Sequence, residues 1–218
     1  LDGVVADLRG PGLGPFLATP MPKTKLLDAR GNLERVGVAH LIGRESVERG
    51  GSVRGMVDLP DELELSDPQT RVLGALLEKQ ATTPDAYPLT LKALVTACNQ
   101  TTSRDPVVDF DVNLVETTCQ ALKAKGLLRI VHPAAGERAT KYRQILDEQL
   151  GLDASEKALV AVLLLRGAQT VPELKSRTER MCGFAGLEEV ESALARLSSR
   201  SDRPLVTLLE RASGQREA

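Results

Sequence analysis

From Leu127 to Gly136 the chain reads LLRIVHPAAG, and from Thr140 to Gln144 it reads TKYRQ. Leu128, Ile130 and His132 alternate with Leu127, Arg129 and Val131. Beyond Pro133-Ala134-Ala135-Gly136, Thr140, Tyr142 and Gln144 alternate with Lys141 and Arg143. A period of two on either side of a Pro/Gly turn predicts a β-hairpin, and the alternation puts Lys141 and Arg143 on one charged face. What precedes this stretch has a different period. Ser66 and Gln69 have capping-box spacing before an apolar stripe of Val72, Leu73, Leu76 and Leu77, a helix ending near Gln80. A second helix starts at Thr90 with Leu91, Leu94, Val95 and Cys98 on one face. Asp111 caps a third, carrying Val115, Cys119 and Leu122 and stopping at Gly126. Three helices followed by a hairpin is the order of a winged helix, in which the second and third helices form a helix-turn-helix and the hairpin is the wing.

The pattern recurs toward the C-terminus. Asp153 with Glu156, and Thr170 with Glu173, repeat the capping-box spacing ahead of helices bearing Leu159, Val162 and Leu163, then Val171, Leu174, Thr178 and Met181. Leu187, Val190, Leu194 and Leu197 mark a third helix, and Leu205 to Arg211 a strand before the turn Ser213-Gly214-Gln215. Leu76 to Pro84 also aligns with Leu164 to Pro172, which supports two copies of one unit. The expected fold is therefore α+β and mainly helical: two tandem winged-helix domains, residues 63–147 and 152–218, joined at Gln149-Leu150-Gly151. The second copy is expected to be cut short in its wing. Residues 1–55 hold ten of the 18 glycines and no sustained helical period, and are expected to form an irregular or flexible extension that contributes little to the folding of the rest. Within them Leu26 to Val53 has room for a strand or a short helix. Gly10, Gly12 and Gly14 lack the preceding strand and following Lys-Ser/Thr of a phosphate loop.

Several stretches resemble the bacterial YceH-like family: LLEKQATTPDAYPL from Leu76, ACNQTTSRDPV from Ala97, TKY from Thr140 and LLLRGAQT from Leu163. The resemblance runs from about Leu65 to Glu217. It implies two tandem winged helices and a family without an assigned function. Family members begin shortly before the first helix, so the resemblance makes Met56 an expected start.

The 218 residues carry 28 Lys+Arg against 30 Asp+Glu, a formal charge of −2, so contact with phosphate requires a local basic patch. The longest apolar run, Ala158 to Leu165, is too short to cross a bilayer, and no signal peptide is read, so a cytoplasmic location is expected. No arrangement of Ser, His and acid and no metal-ligand spacing is present. No catalytic residue, cofactor or metal is expected. Cys98 and Cys119 read as core thiols, and His132 as a solvated strand end. The candidate residues for binding nucleic acid or a protein partner are Lys92, Asn99, Gln100 and Arg104 on the helix-turn-helix side, with Arg129, Arg138, Lys141 and Arg143 on the wing. Asn99, Gln100 and Arg104 have a second reading, satisfying the amides of their own loop. The starts of the two third helices are acidic, Asp111 and Glu116 in one and Glu188, Glu189 and Glu191 in the other, with helix capping as the alternative role for Asp111 and Glu188. The expected function is a non-enzymatic binding module, associated by analogy of fold with DNA or transcription. Its rival is a protein-interaction scaffold whose acidic helices dock a basic partner.

Overall fold

The computed structural model describes the backbone of residues 35–38, and residues 65–133 and 139–209. Strand β1 is Arg35–Val38. Helix α1, Asp67–Thr82, begins in the capping box read from sequence: Ser66 Oγ accepts from the Gln69 amide, and Gln69 Oε1 accepts from the Ser66 amide at 3.1 Å. A 3-10 turn, Pro84–Ala86, leads to the two-residue strand β2, Leu89–Thr90, and Thr90 caps α2, Leu91–Cys98. Helix α3, Val112–Ala124, is capped by Asp111, whose carboxylate accepts from the Leu114 amide at 2.8 Å. It stops as expected at Gly126, whose φ of 71° lets the Gly126 amide reach Lys123 O and the Leu127 amide reach Leu122 O. Strands β3, Leu128–Val131, and β4, Lys141–Gln144, pair antiparallel, and β2 lies along β4 to give the sheet order β2-β4-β3.

The expected joint at Gln149-Leu150-Gly151 lies at the end of a short helix, α4, Leu146–Leu150, which buries Leu146, Gln149 and Leu150. The second half then repeats the first: α5, Ala154–Arg166; β5, Gln169–Thr170; α6, Val171–Thr178; α7, Leu187–Ser198; and β6, Val206–Leu209. Both sequence-read capping boxes form, Asp153 with Glu156 and Thr170 with Glu173. The fold class, α+β and mainly helical, is as expected.

The core centres on α1 against α5. Arg71 through Leu77 are all buried, as are Ala158 through Leu165, so neither helix has the single apolar stripe of a surface helix. The two helices pack closely at Gly74, where a Cβ would stand 2.9 Å from Leu165 Cγ and 3.1 Å from Leu164 Cβ. One contiguous apolar cluster runs through both halves, from Val72 and Leu94 to Leu174, Leu194 and Val206. Cys98 and Cys119 lie wholly inside it, and burial pushes both thiols up to about 12.

Within residues 1–55, the stretch Leu26 to Val53, where the sequence left room for a strand or a short helix, includes Arg35–Val38. These residues form β1, the central strand of a second antiparallel sheet ordered β5-β1-β6. The physical reason is main-chain pairing, which four residues complete without any helical period or long apolar run. The turns at Ala134-Ala135-Gly136 and Ser213-Gly214-Gln215, and the other readings within 1–55, lie outside the described residues.

Candidate partner-binding surfaces

The hairpin register sets its chemistry. Arg129 faces Arg143 and Val131 faces Lys141 across β3 and β4, so these four side chains share one side of the sheet, while Leu128, Tyr142 and Gln144 are buried on the other. Two guanidiniums directly opposite repel, and Arg143 is held by an ion pair to Glu148 of α4. Arg129 is exposed and makes no ion pair among the described residues. Thr90 aligns with Lys141 on the neighbouring strand, and Lys92 is exposed two residues further on, in the first turn of α2. The structure thus brings Arg129, Lys141 and Arg143 together; Arg138 lies outside the described residues.

The polar cluster between α2 and α3 is placed differently. Arg104 is enclosed, donating to Ala97 O from Nε at 3.1 Å and from Nη2 at 2.8 Å, to the Gln100 side-chain oxygen at 2.8 Å, and to both carboxylate oxygens of Glu78 at 3.2 and 2.6 Å. Asn99 donates to Phe110 O at 2.8 Å and accepts from the Phe110 amide at 2.9 Å. The amide and guanidinium groups of this loop are therefore used within the chain, on backbone groups, on one another and on Glu78. The reason is cost: a polar loop folded against the core must satisfy its backbone groups, and these side chains reach them. Sequence reading missed the second such group, Arg71, which sits beside the apolar stripe of α1 and donates to Cys98 O and Pro106 O. Burial, with the charge of Arg104 nearby, lowers its pKa.

The same fastened loop presents apolar side chains to solvent at the start of α3. Val107, Val112 and Leu114 are 55%, 51% and 39% exposed, among the exposed carboxylates Asp109, Asp111 and Glu116. In the second half Leu187 opens α7 in the place of Val112 and is 43% exposed. The expected helix carries all four of its marker residues, with Leu187 in the exposed first turn and Val190, Leu194 and Leu197 buried. Glu189, and not Glu188, accepts a backbone bond at this end, from the Ala185 amide at 2.8 Å. The basic residues at and just beyond the far end of α7 are held in contacts within the chain. Arg196 bonds Asp153 at 2.9 Å and Glu156 at 3.0 Å, and Arg200 bonds Leu150 O at 2.6 Å. On α6, Arg177 pairs with Glu173 at 3.2 Å, one turn away.

A shallow depression of about 220 Å³ between α1 and α5 is lined by Leu77, Gln80, Ala81, Ala154, Lys157, Ala158 and Met181, with no pair of acid and base to carry chemistry. Among the described residues no group of three or more His, Cys, Asp or Glu is placed to hold a metal, and no helix is long and apolar enough to cross a membrane.

Together these elements define an α+β, mainly helical protein of two repeated halves, whose exposed features are an apolar, acid-rimmed helix start and a basic strand face. Residues 65–215 match the family described as "Protein of unknown function, DUF480", and the chain belongs to that family. It is 48% identical over 159 residues to the UPF0502 protein YceH of Salmonella arizonae, covering 71% of this chain and 74% of the relative. It is also 48% identical over 157 residues to a UPF0502 protein of Pelobacter propionicus, covering 72% and 70%.

Proposed function

We propose that this chain is a non-catalytic binding module built of two winged-helix units, and that the first unit docks a protein partner through the start of α3. The unit reading is supported by the repeated order of helix, short strand, two helices and strand in both halves, with β3 and β4 as the first wing. In a helix-turn-helix the start of the third helix approaches base edges and phosphates. Here that position holds Val107, Val112 and Leu114, half-exposed among Asp109, Asp111 and Glu116. Carboxylates repel phosphate, whereas exposed apolar side chains on a fastened loop gain from contact with another protein. This apolar, acid-rimmed helix start is the observation that carries the reading. The three free thiols accord with a reduced, cytoplasmic setting.

A second reading, weak DNA contact through the hairpin, draws on the common face of Arg129, Lys141 and Arg143. The two are separated by measuring both. Affinity enrichment with the full chain should retain a partner that V112E/L114E loses and R129A/K141A keeps. Fluorescence anisotropy with a mixed-sequence duplex should show binding no tighter than the roughly 10⁻⁴ to 10⁻⁶ M of non-specific contact at physiological salt. Tighter DNA binding whose log-affinity against log-salt slope fell by about 1.8 in R129A/K141A would replace the protein reading with the DNA one.

A further inference from the structure

The two sheets have the same plan with different sources for one strand. In the first, β4 runs antiparallel between β2, which precedes α2, and β3, which follows α3. In the second, β5 precedes α6 and β6 follows α7, and the central antiparallel position belongs to β1, from the opposite end of the chain. Arg35, Val36, Gly37 and Val38 align with Leu209, Leu208, Thr207 and Val206, while Arg35 and Val36 also align with Thr170 and Gln169. Thus β1 stands where β4 stands in the first unit, but no hairpin connects it to its neighbours. It also lies outside residues 65–215, the segment that matches the family.

We propose that the gap between β5 and β6 is a strand-accepting site, filled within the same chain by Arg35–Val38 as an exchangeable inserted strand. A slot between two strands satisfies the N–H and C=O groups of an extended occupant on both sides, so main-chain bonds supply most of the recognition. Without an occupant, β5 and β6 each present an unpaired edge toward the other, the arrangement that draws in another strand. The hairpin of the first unit brings its own third strand from the adjacent residues, whereas the second takes a strand from a segment far away in sequence. The second wing is therefore completed by binding. Whatever partner the first unit takes, this conclusion is unaffected.

The test uses the full chain and a fluorescent peptide of residues 32–41. A V36P/V38P chain, in which proline removes two amide donors from the central strand, should capture the peptide. The wild-type chain should bind it about tenfold or more weakly, because only molecules with an empty slot are competent. Equal binding by both chains, or by neither, would overturn the proposal. A second measurement leaves the strand's hydrogen bonding intact: G37C/T207C, in a C182S background, is treated with a short bifunctional thiol reagent. The cross-link should form within one chain, and the cross-linked chain should capture less peptide than the untreated one. Cross-links between two chains would assign the strand to a second copy. That result, no cross-link, or capture unchanged by cross-linking would each defeat an exchangeable strand held within the chain.

Discussion

Arg104 stands in a run of Thr, Ser, Asp and Pro that in sequence is as consistent with a solvated loop as with a buried one. Its five-donor guanidinium decides the matter only when the fold brings Ala97 O, Gln100 and Glu78 around it. Arg104 and Arg71 act as a pair, each tying a backbone carbonyl at the end of α2 to the loop that begins α3. Replacing Arg104 with Ala takes from Ala97 O its donor and from Glu78 its buried partner, leaving that carboxylate with Lys79 at 3.7 Å, and breaking a buried ion pair in this way costs about 3–5 kcal/mol. We expect R104A to lose stability on that scale in denaturant unfolding, with R104K recovering little because an ammonium cannot hold the carbonyl and the carboxylate in one plane. A loss below about 0.5 kcal/mol would return Arg104 to the surface. The thiols were easier to read. Cys98 and Cys119 fall on helical stripes, and both stripes face the core.

At the scale of elements, caps and periods carried the helices. Ser66, Thr90, Asp111, Asp153 and Thr170 each bond the amide expected of an N-cap, because that interaction is local and survives in any tertiary setting. The elements that escaped are short. Strands β2 and β5 have two residues each, too few to display a period, and α4 has five. The α1 to α5 contact is also a property of elements together. Glycine inside a helix ordinarily costs about 1 kcal/mol relative to Ala, yet at Gly74 the absence of a Cβ lets α1 lie directly against Leu164 and Leu165 of α5. We expect G74V to destabilise by about 1–3 kcal/mol, the usual cost of overpacking, because its side chain would meet Leu165 and Leu164. A raised thermal midpoint in G74V would show that α5 yields at no cost.

For the whole molecule the continuous core has a thermodynamic consequence. Two domains joined by a flexible tether would unfold separately, but here the buried faces of α1 and α5 are each other's covering. We expect a single calorimetric transition with the van't Hoff enthalpy equal to the calorimetric one. Two resolved transitions would mean that the halves hold their cores independently.

What the sequence determined by itself was local or periodic: helices, caps, the Gly126 stop, the hairpin, the α+β class and the likeness to a family. The basic face of the hairpin belongs here too, since strand alternation alone puts Lys141 and Arg143 together. What only the tertiary structure decided was pairing between distant segments. It set Arg129 opposite Arg143, turned Arg104 inward, left Val107, Val112 and Leu114 uncovered, and drew Arg35–Val38 between β5 and β6. The reason is that a residue's neighbours along the chain fix its backbone preference and its side of an element, whereas burial and hydrogen-bond partners depend on which other element arrives. A four-residue strand such as β1 has no period to announce it, and it becomes a strand because two open edges supply the hydrogen bonds its backbone requires.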